Sequence, residues 1–182
     1  MSRDQYEESV DRQTSFQGQI IEVHVDTVRL PNKKLSRREI VEHGESVSIV
    51  PIYEDMSVLL VKQYRHAVQQ ILLEVPAGGI NKTETAEEAA HRELKEETGV
   101  TAQNMMHLVS FWTTPGFCDE QMHVYLATNL HNGDPEQEDD ENIEIIHVPL
   151  KQILPLINDG KIVDSKSIAA LLLSLHHFNI VD

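Results

Sequence analysis

The sequence predicts an α/β protein, and three observations predict it. Ile21, Val23 and Val25 alternate with Glu22, His24 and Asp26, the period of a half-buried strand. The stretch from Thr85 to Val100 carries its own helix start and helix stop. Further strand-like runs follow, and two short helical patterns close the chain.

In chain order, the first fifteen or so residues are polar and are expected to be frayed or helical. A strand is expected from about Phe16 to Leu30, a turn at Leu30-Pro31-Asn32-Lys33, and a returning strand from Arg37 to Glu42. This β-rich piece, residues 1–44, is too small to hold a core alone, so residues 45–182 are expected to form the main domain. There, strands are expected near Val47–Tyr53, Ser57–Gln63, His107–Phe111, Gln121–Ala127 and Ile143–Val148. Helices are expected near Leu150–Asn158, ending at Gly160, and near Lys166–Phe178. No internal repeat and no long linker divides the chain further.

The mid-chain helix carries the chemistry. Thr85 followed by Glu88 makes a capping box, and Gly99-Val100 reads as a Schellman-type stop. Ala86, Ala90 and Leu94 fall four apart and form an apolar stripe, expected to pack on a sheet while the glutamates face away towards a cleft. Glu93, Glu96 and Glu97 share the spacing i, i+3, i+4, which gathers three carboxylates on adjoining positions. Such carboxylates repel unless a cation neutralises them, and hard oxygen donors suit Mg²⁺ or Mn²⁺. Arg92 stands beside them and can orient them by charge-assisted hydrogen bonds. A solvated acidic helix face is the alternative meaning of the run Glu-Leu-Lys-Glu-Glu.

Composition narrows the function. The chain has 182 residues and a formal charge of −15, which argues against a nucleic-acid surface, because phosphate backbones need clustered Lys and Arg. An anionic substrate must therefore be met by metal and a few local cations. No apolar run is long enough to span a bilayer, and the acidic N-terminus does not read as a signal peptide. A single cysteine excludes an intramolecular disulfide framework and fits a reducing cytoplasm. Ten histidines form no zinc-type spacing, and Cys118 has no partner base marked in sequence, so neither zinc nor covalent catalysis is expected.

The whole segment decides between a metal site and a solvated face. Gly78, five residues, Glu84, seven residues, Arg92-Glu93-Leu94, one residue, Glu96-Glu97, one residue and Gly99-Val100 resembles the Nudix box at every defined position. The resemblance to Nudix hydrolases implies an α/β/α sandwich with a mixed sheet and a loop–helix–loop that holds divalent metal. It implies Glu93 and Glu97 as main ligands, Glu96 close by, and the carbonyl of Ala77 as a further ligand.

A second layer of resemblance lies outside the box, in Val61-Lys62-Gln63-Tyr64-Arg65, Leu73-Glu74-Val75-Pro76-Ala77-Gly78, Thr114 to Glu120 and Asp159 to Asp164. Pro115 stands sixteen residues after Gly99. Together these are similar to the ADP-ribose pyrophosphatase branch, over about residues 20 to 178. That branch implies hydrolysis of ADP-ribose or a related nucleotide sugar, Mg²⁺ (or Mn²⁺) as cofactor, and a homodimer paired through the N-terminal β element. Arg65, Arg38, Pro115 and Gly116 are then expected to bind substrate, and Phe16 to stack the adenine. In the acidic loop Asp134 to Glu144, Glu141 is the implied further ligand or general base, with Asp139 second. Glu120 is a further catalytic candidate, on a ribose hydroxyl or a metal-bound water. Hydrolysis of GDP-mannose or of oxidised nucleoside triphosphates, and a non-catalytic nucleotide sensor, are the alternatives.

Overall fold

Alternation along three strands sets the architecture. The computed structural model describes residues 5–135 and 142–180. Strands β4 (Glu45–Pro51), β5 (Ser57–Arg65) and β9 (Gln121–His131) are apolar on both faces, the pattern of strands covered from two sides. Val50, Val58, Leu60, Val124 and Leu126 feed one cluster, joined by Ile153, Ile162, Ala170, Leu171 and Leu175 from the C-terminal helices and the turn between them. Val47, Ile49, Leu59, Val61, Tyr125 and Ala127 feed the other, joined by Ala89, Ala90 and Leu94. The result is helix, sheet, helix: α1 (Ala86–Thr98) covers one face, while α2 (Ile153–Asn158) and α3 (Ser165–His177) cover the other. The expected mixed α/β sandwich is the observed fold.

By contacts the chain forms two compact units. The larger runs from Glu45 to Phe111 and from Met122 onward. It orders its strands β10-β5-β6 in one sheet and β7-β4-β9-β8 in another. The remaining elements are β6 (Gln70–Glu74), β7 (Ala77–Gly79), β8 (Thr101–Trp112), β10 (Glu144–Pro149) and a 3-10 turn at Leu150–Gln152 that leads into α2. Neither β6 nor β7 was expected. β7 is three small residues held by antiparallel pairing with Ser46, Val47 and Ser48 of β4, and no side-chain periodicity announces it. β8 begins six residues before the expected His107. It is the end strand of its sheet, so its first third, Thr101 to Asn104, needs no apolar alternation.

The smaller unit joins the residues up to Gly44 to Trp112–Gln121. β1 (Glu8–Gln17), β2 (Glu22–Arg29) and β3 (Leu35–Glu42) form an antiparallel meander. The expected frayed or helical first residues are therefore a strand from Glu8 onward. β1 is exposed along its whole length, so hydrophobic alternation could not reveal it. Backbone pairing and charge hold it instead: Arg12 donates to Asp26 from Nε at 2.9 Å and Nη2 at 3.1 Å, and Arg29 reaches Glu8 at 3.1 Å. The expected strand from Phe16 is interrupted at Gly18–Ile21, where Gly18 N–H donates to the Ile21 carbonyl at 2.9 Å. The Pro-Gly loop is fastened to the end of β3. Val41 N–H donates to Phe117 O at 2.7 Å, and His43 N–H to the Asp119 carboxylate at 2.8 Å.

Helix α1 starts as its sequence dictates. Thr85 Oγ1 accepts from Glu88 N–H, while the Glu88 carboxylate accepts from Thr85 N–H at 2.8 Å, a reciprocal cap worth about 1 kcal/mol. Its end departs from the Schellman expectation. Gly99, at φ 73°, closes a single bond from its N–H to Lys95 O at 2.8 Å, and Val100 N–H turns to Thr98 Oγ1 instead of the helix. This is the simpler left-handed stop. Chain Gly133–Pro135 lies directly over it, leaving 2.4 Å between the Gly133 carbonyl and a Cβ placed on Gly99. Glycine is thus required twice, by φ and by space.

Candidate functional site

Arg92 stands at the centre of the acidic helix face. Its guanidinium donates to Glu84 (2.6 and 3.0 Å), Glu93 (2.7 Å), Glu96 (2.9 Å) and the Gly79 carbonyl (2.9 Å). Those bonds, the ones to Glu84 foremost, push the arginine pKa up further, and the bond from Arg92 holds the Glu84 carboxyl below its ordinary value. Arg92 fixes the cluster as the sequence suggested. It also accounts for Glu84, whose partners the residue order did not reveal. Glu84 secures Asn81 N–H at 2.7 Å and so folds the loop before the helix onto the arginine.

The glutamates do not face away from the sheet as expected. Glu97 is buried at 4 % exposure, and its carboxylate accepts from Ala77 N–H at 3.3 Å. Glu93 lies against the next residue of β7. A Cβ placed on Gly78 would meet the Glu93 carboxylate carbon at 2.1 Å and its oxygens at 2.1 and 2.3 Å. Carboxylates one helical turn apart thus converge on one tripeptide, Ala77–Gly79. The helix therefore buries two sides: Ala90 and Leu94 pack on the core while Glu93 and Glu97 dock on β7. Glu96 is the outlying member, with its side chain 39 % exposed and bonded to Arg92.

A second ionic knot holds the segment that leads into β7. Glu74, 1 % exposed, takes a two-pronged bond from Arg65 (2.9 and 2.8 Å) and a further bond from Lys166. Burial pushes the Glu74 carboxyl up, but the bond from Arg65 and the charge and bond of Lys166 together bring it below its ordinary value. Lys166 also reaches Asp164 at 2.8 Å; Asp164 caps α3 by accepting from Ser167 N–H and Oγ, and Ser167 Oγ accepts from Val75 N–H at 2.9 Å. The sequence reading missed Glu74 and Lys166. A charged residue inside the apolar run Ile71-Leu72-Leu73-Glu74-Val75 was the available sign, since such a residue is buried only with partners.

Of the other expected residues, Arg65 lies in the Glu74 knot, close enough to Glu97 that this carboxylate adds to the rise in its pKa, after the Glu74 bond. Arg38, Pro115, Gly116, Glu120 and Phe16 belong to the smaller unit. Arg38 bonds Glu7 and Ser36; Glu120 accepts from Thr113 Oγ1 at 2.8 Å; Phe16 is exposed. Asp139 and Glu141 lie outside the described residues.

The donor set fits a hard divalent cation in kind: two carboxylates drawn to one backbone segment, Ala77–Gly79. Among the described residues no three His, Cys, Asp or Glu side chains gather at a metal-holding distance. The carboxylates the structure brings to that segment are Glu93 and Glu97, with Glu96 held aside by Arg92.

The NUDIX domain pattern matches residues 42–171, most of the chain. The chain belongs to the NUDIX family. This Nudix protein is 36% identical over 167 residues, 91% of its length and 90% of theirs, to an ADP-ribose pyrophosphatase of Bacillus subtilis (strain 168) and to a methanol dehydrogenase activator of Bacillus methanolicus. It is 36% identical over 91% of its length to an ADP-ribose pyrophosphatase of Mycobacterium tuberculosis, covering 81% of that protein. Among solved structures, the crystal structure of an ADP compounds hydrolase superposes with a TM-score of 0.88, covering 98% of this chain and 97% of that one at 24% identity. That last likeness speaks for the fold.

The close approach at Gly78 makes the carboxylate cradle testable. Gly78→Ala drives a methyl group into the far end of the Glu93 side chain, which must leave β7 and shift its bond to Arg92, at a cost of about 1–3 kcal/mol. Calorimetric titration of the folded variant with Mg²⁺ or Mn²⁺ should show affinity weakened by at least about tenfold. Acid should act on the ionic knots. Glu74, Glu84 and Asp164 all have folded-state pKa values below the ordinary ones, so their stabilisation is complete above the unfolded carboxylate value of about 4.3 and is lost as pH falls through the folded values. Urea midpoints measured between pH 7 and pH 3 should fall along that limb, and Glu74→Gln, less stable at pH 7, should flatten it.

Proposed function

We propose that this Nudix protein hydrolyses the diphosphate bond of ADP-ribose, or of a closely related nucleotide sugar, to AMP and a sugar phosphate with Mg²⁺ as cofactor. The observation that carries the chemistry is the convergence of Glu93 and Glu97 on Ala77–Gly79. The choice of substrate rests on the ADP-ribose pyrophosphatases that share 36% identity over nearly the full chain.

Glu93, Glu97 and the Ala77 carbonyl would hold the cation. A divalent cation in such a site neutralises diphosphate oxygens and lowers the pKa of a bound water towards neutrality. The chain does the rest. Arg92 fixes the Glu93 carboxylate, and Ala77 N–H fixes that of Glu97, so both are in place before substrate arrives. Arg65, within reach of the charge of Glu97, is assigned to the phosphates. Glu141, with Asp139 second, is assigned the removal of the proton from the attacking water. Arg38, the Pro115-Gly116 loop and Glu120 are assigned to the nucleoside and ribose. A net charge of −15 makes these few cations the means of admitting a dianion.

A second copy of the chain is the proposed partner of the N-terminal sheet. β1 is exposed throughout and presents Val10 and Phe16 at 46 % and 55 % exposure, a surface a homodimer would cover. Among the described residues no helix is long and apolar enough to cross a membrane, and the single cysteine fits the reducing cytoplasm as the working compartment.

Product analysis tests the reading. Purified protein with Mg²⁺ is expected to release AMP from ADP-ribose in preference to GDP-mannose, ADP-glucose and 8-oxo-dGTP, and Glu97→Gln to lower the rate by about 10²- to 10⁴-fold. Cleavage of another member of the panel would keep the chemistry and replace the substrate. Tight binding of all four with no turnover would make the protein a sensor.

A further inference from the structure

Glu74 is a buried carboxylate that takes bonds from two cations. Its side chain is 1% exposed, yet Arg65 Nη2 and Lys166 Nζ both donate to Oε2, while Arg65 Nε donates to Oε1. The two cations are not equivalent. Lys166 is 13% exposed and is tied on its other side to Asp164, itself locked as the cap of α3. Arg65 is 40% exposed, and Glu97 is near enough for its charge to act on the guanidinium. Arg92, the other guanidinium near these carboxylates, is committed to Glu84, Glu93, Glu96 and the Gly79 carbonyl. Arg65 is thus the cation of the knot with open access to an incoming anion.

A buried carboxylate cannot be left without its counter-charge. If Glu74 had only Arg65, drawing the guanidinium towards a ligand would strand that charge at 1 % exposure. With Lys166 present, Glu74 stays paired whichever way Arg65 turns. We infer that Lys166 is a positioning residue: pairing with Glu74 from α3, it frees the Arg65 fork to close on the anionic diphosphate of the substrate. The inference rests on the diphosphate-cleaving function proposed above. Lys166 itself makes no contact with the reacting atoms. Its effect passes through the population of Arg65 able to leave Glu74, and apparent affinity scales with that population.

The test uses the full chain, two readouts and a mutant cycle. Binding of inorganic pyrophosphate with Mg²⁺ reads the anion device alone, and steady-state hydrolysis of ADP-ribose reads function. Lys166→Met is expected to weaken pyrophosphate binding and raise the KM for ADP-ribose by roughly tenfold or more, with kcat falling much less. Lys166→Arg, which keeps the charge, should restore both. In a Glu74→Gln background the same Lys166→Met change should alter KM by less than about twofold, because residue 74 then carries no charge to strand; that pair also keeps the test sound if Lys166→Met alone folds poorly. An unchanged KM and pyrophosphate affinity in Lys166→Met, or an equal loss in the Glu74→Gln background, would overturn the inference. Should wild type bind pyrophosphate in a Lys166- and Arg65-dependent manner yet leave ADP-ribose intact, the proposed function fails and the positioning role stands.

Discussion

The structure depends on how closely helix α1 lies against β7. At Gly78 there is no room for even one carbon beyond the backbone, because the Glu93 carboxylate occupies that space. Everything polar in the site follows from this contact. The tight approach brings Glu97 within reach of Ala77 N–H, and it places the Gly79 carbonyl where Arg92 can take it. Three glutamates on one helix face repel, and a 4 % exposed glutamate is costly unless bonded. The guanidinium of Arg92 makes the arrangement tolerable by giving Glu84, Glu93 and Glu96 a shared partner.

The same logic extends outward through the backbone. β7 can receive the helix because β4 pairs with it and also holds the preceding turn, where Pro76 O accepts from Ile49 N–H at 2.9 Å, while Val75 N–H donates to Ser167. Ser167 belongs to α3, on the opposite face of the sheet, so a helix remote in sequence steadies the loop against which the acidic pair of α1 rests. Glu74 completes the brace by taking cations from β5 and α3 together. Burial works against its charge, and the paired cations prevail.

How much of this could be read from residue order depends on what each element hides behind. Helix α1 was legible almost to the residue, because Thr85, Glu88 and Gly99 are local signals whose chemistry needs no tertiary context. The two-sided strands were legible as apolar runs, and both closing helices were placed to within a few residues. β1 was misread because its ladder is held by Arg12, Arg29 and their carboxylates, with neither face buried inside its own unit. β7 was invisible because Ala-Gly-Gly has no strand preference. The orientation of the glutamates was misjudged for a related reason. Spacing tells which residues share a face, but only packing tells what lies opposite. The partners of Glu74 stand 9 and 92 positions away in the chain, a pairing that no local pattern encodes.

Everything proposed for the chemistry requires a divalent cation to sit among Glu93, Glu97 and Ala77–Gly79. The direct measurement is an anomalous difference map from crystals of the protein soaked in Mn²⁺. A peak within about 2.3 Å of oxygens from Glu93, Glu97 and the Ala77 carbonyl is the expected result. Strong density elsewhere, with these three groups bare at a saturating Mn²⁺ concentration, would contradict that placement.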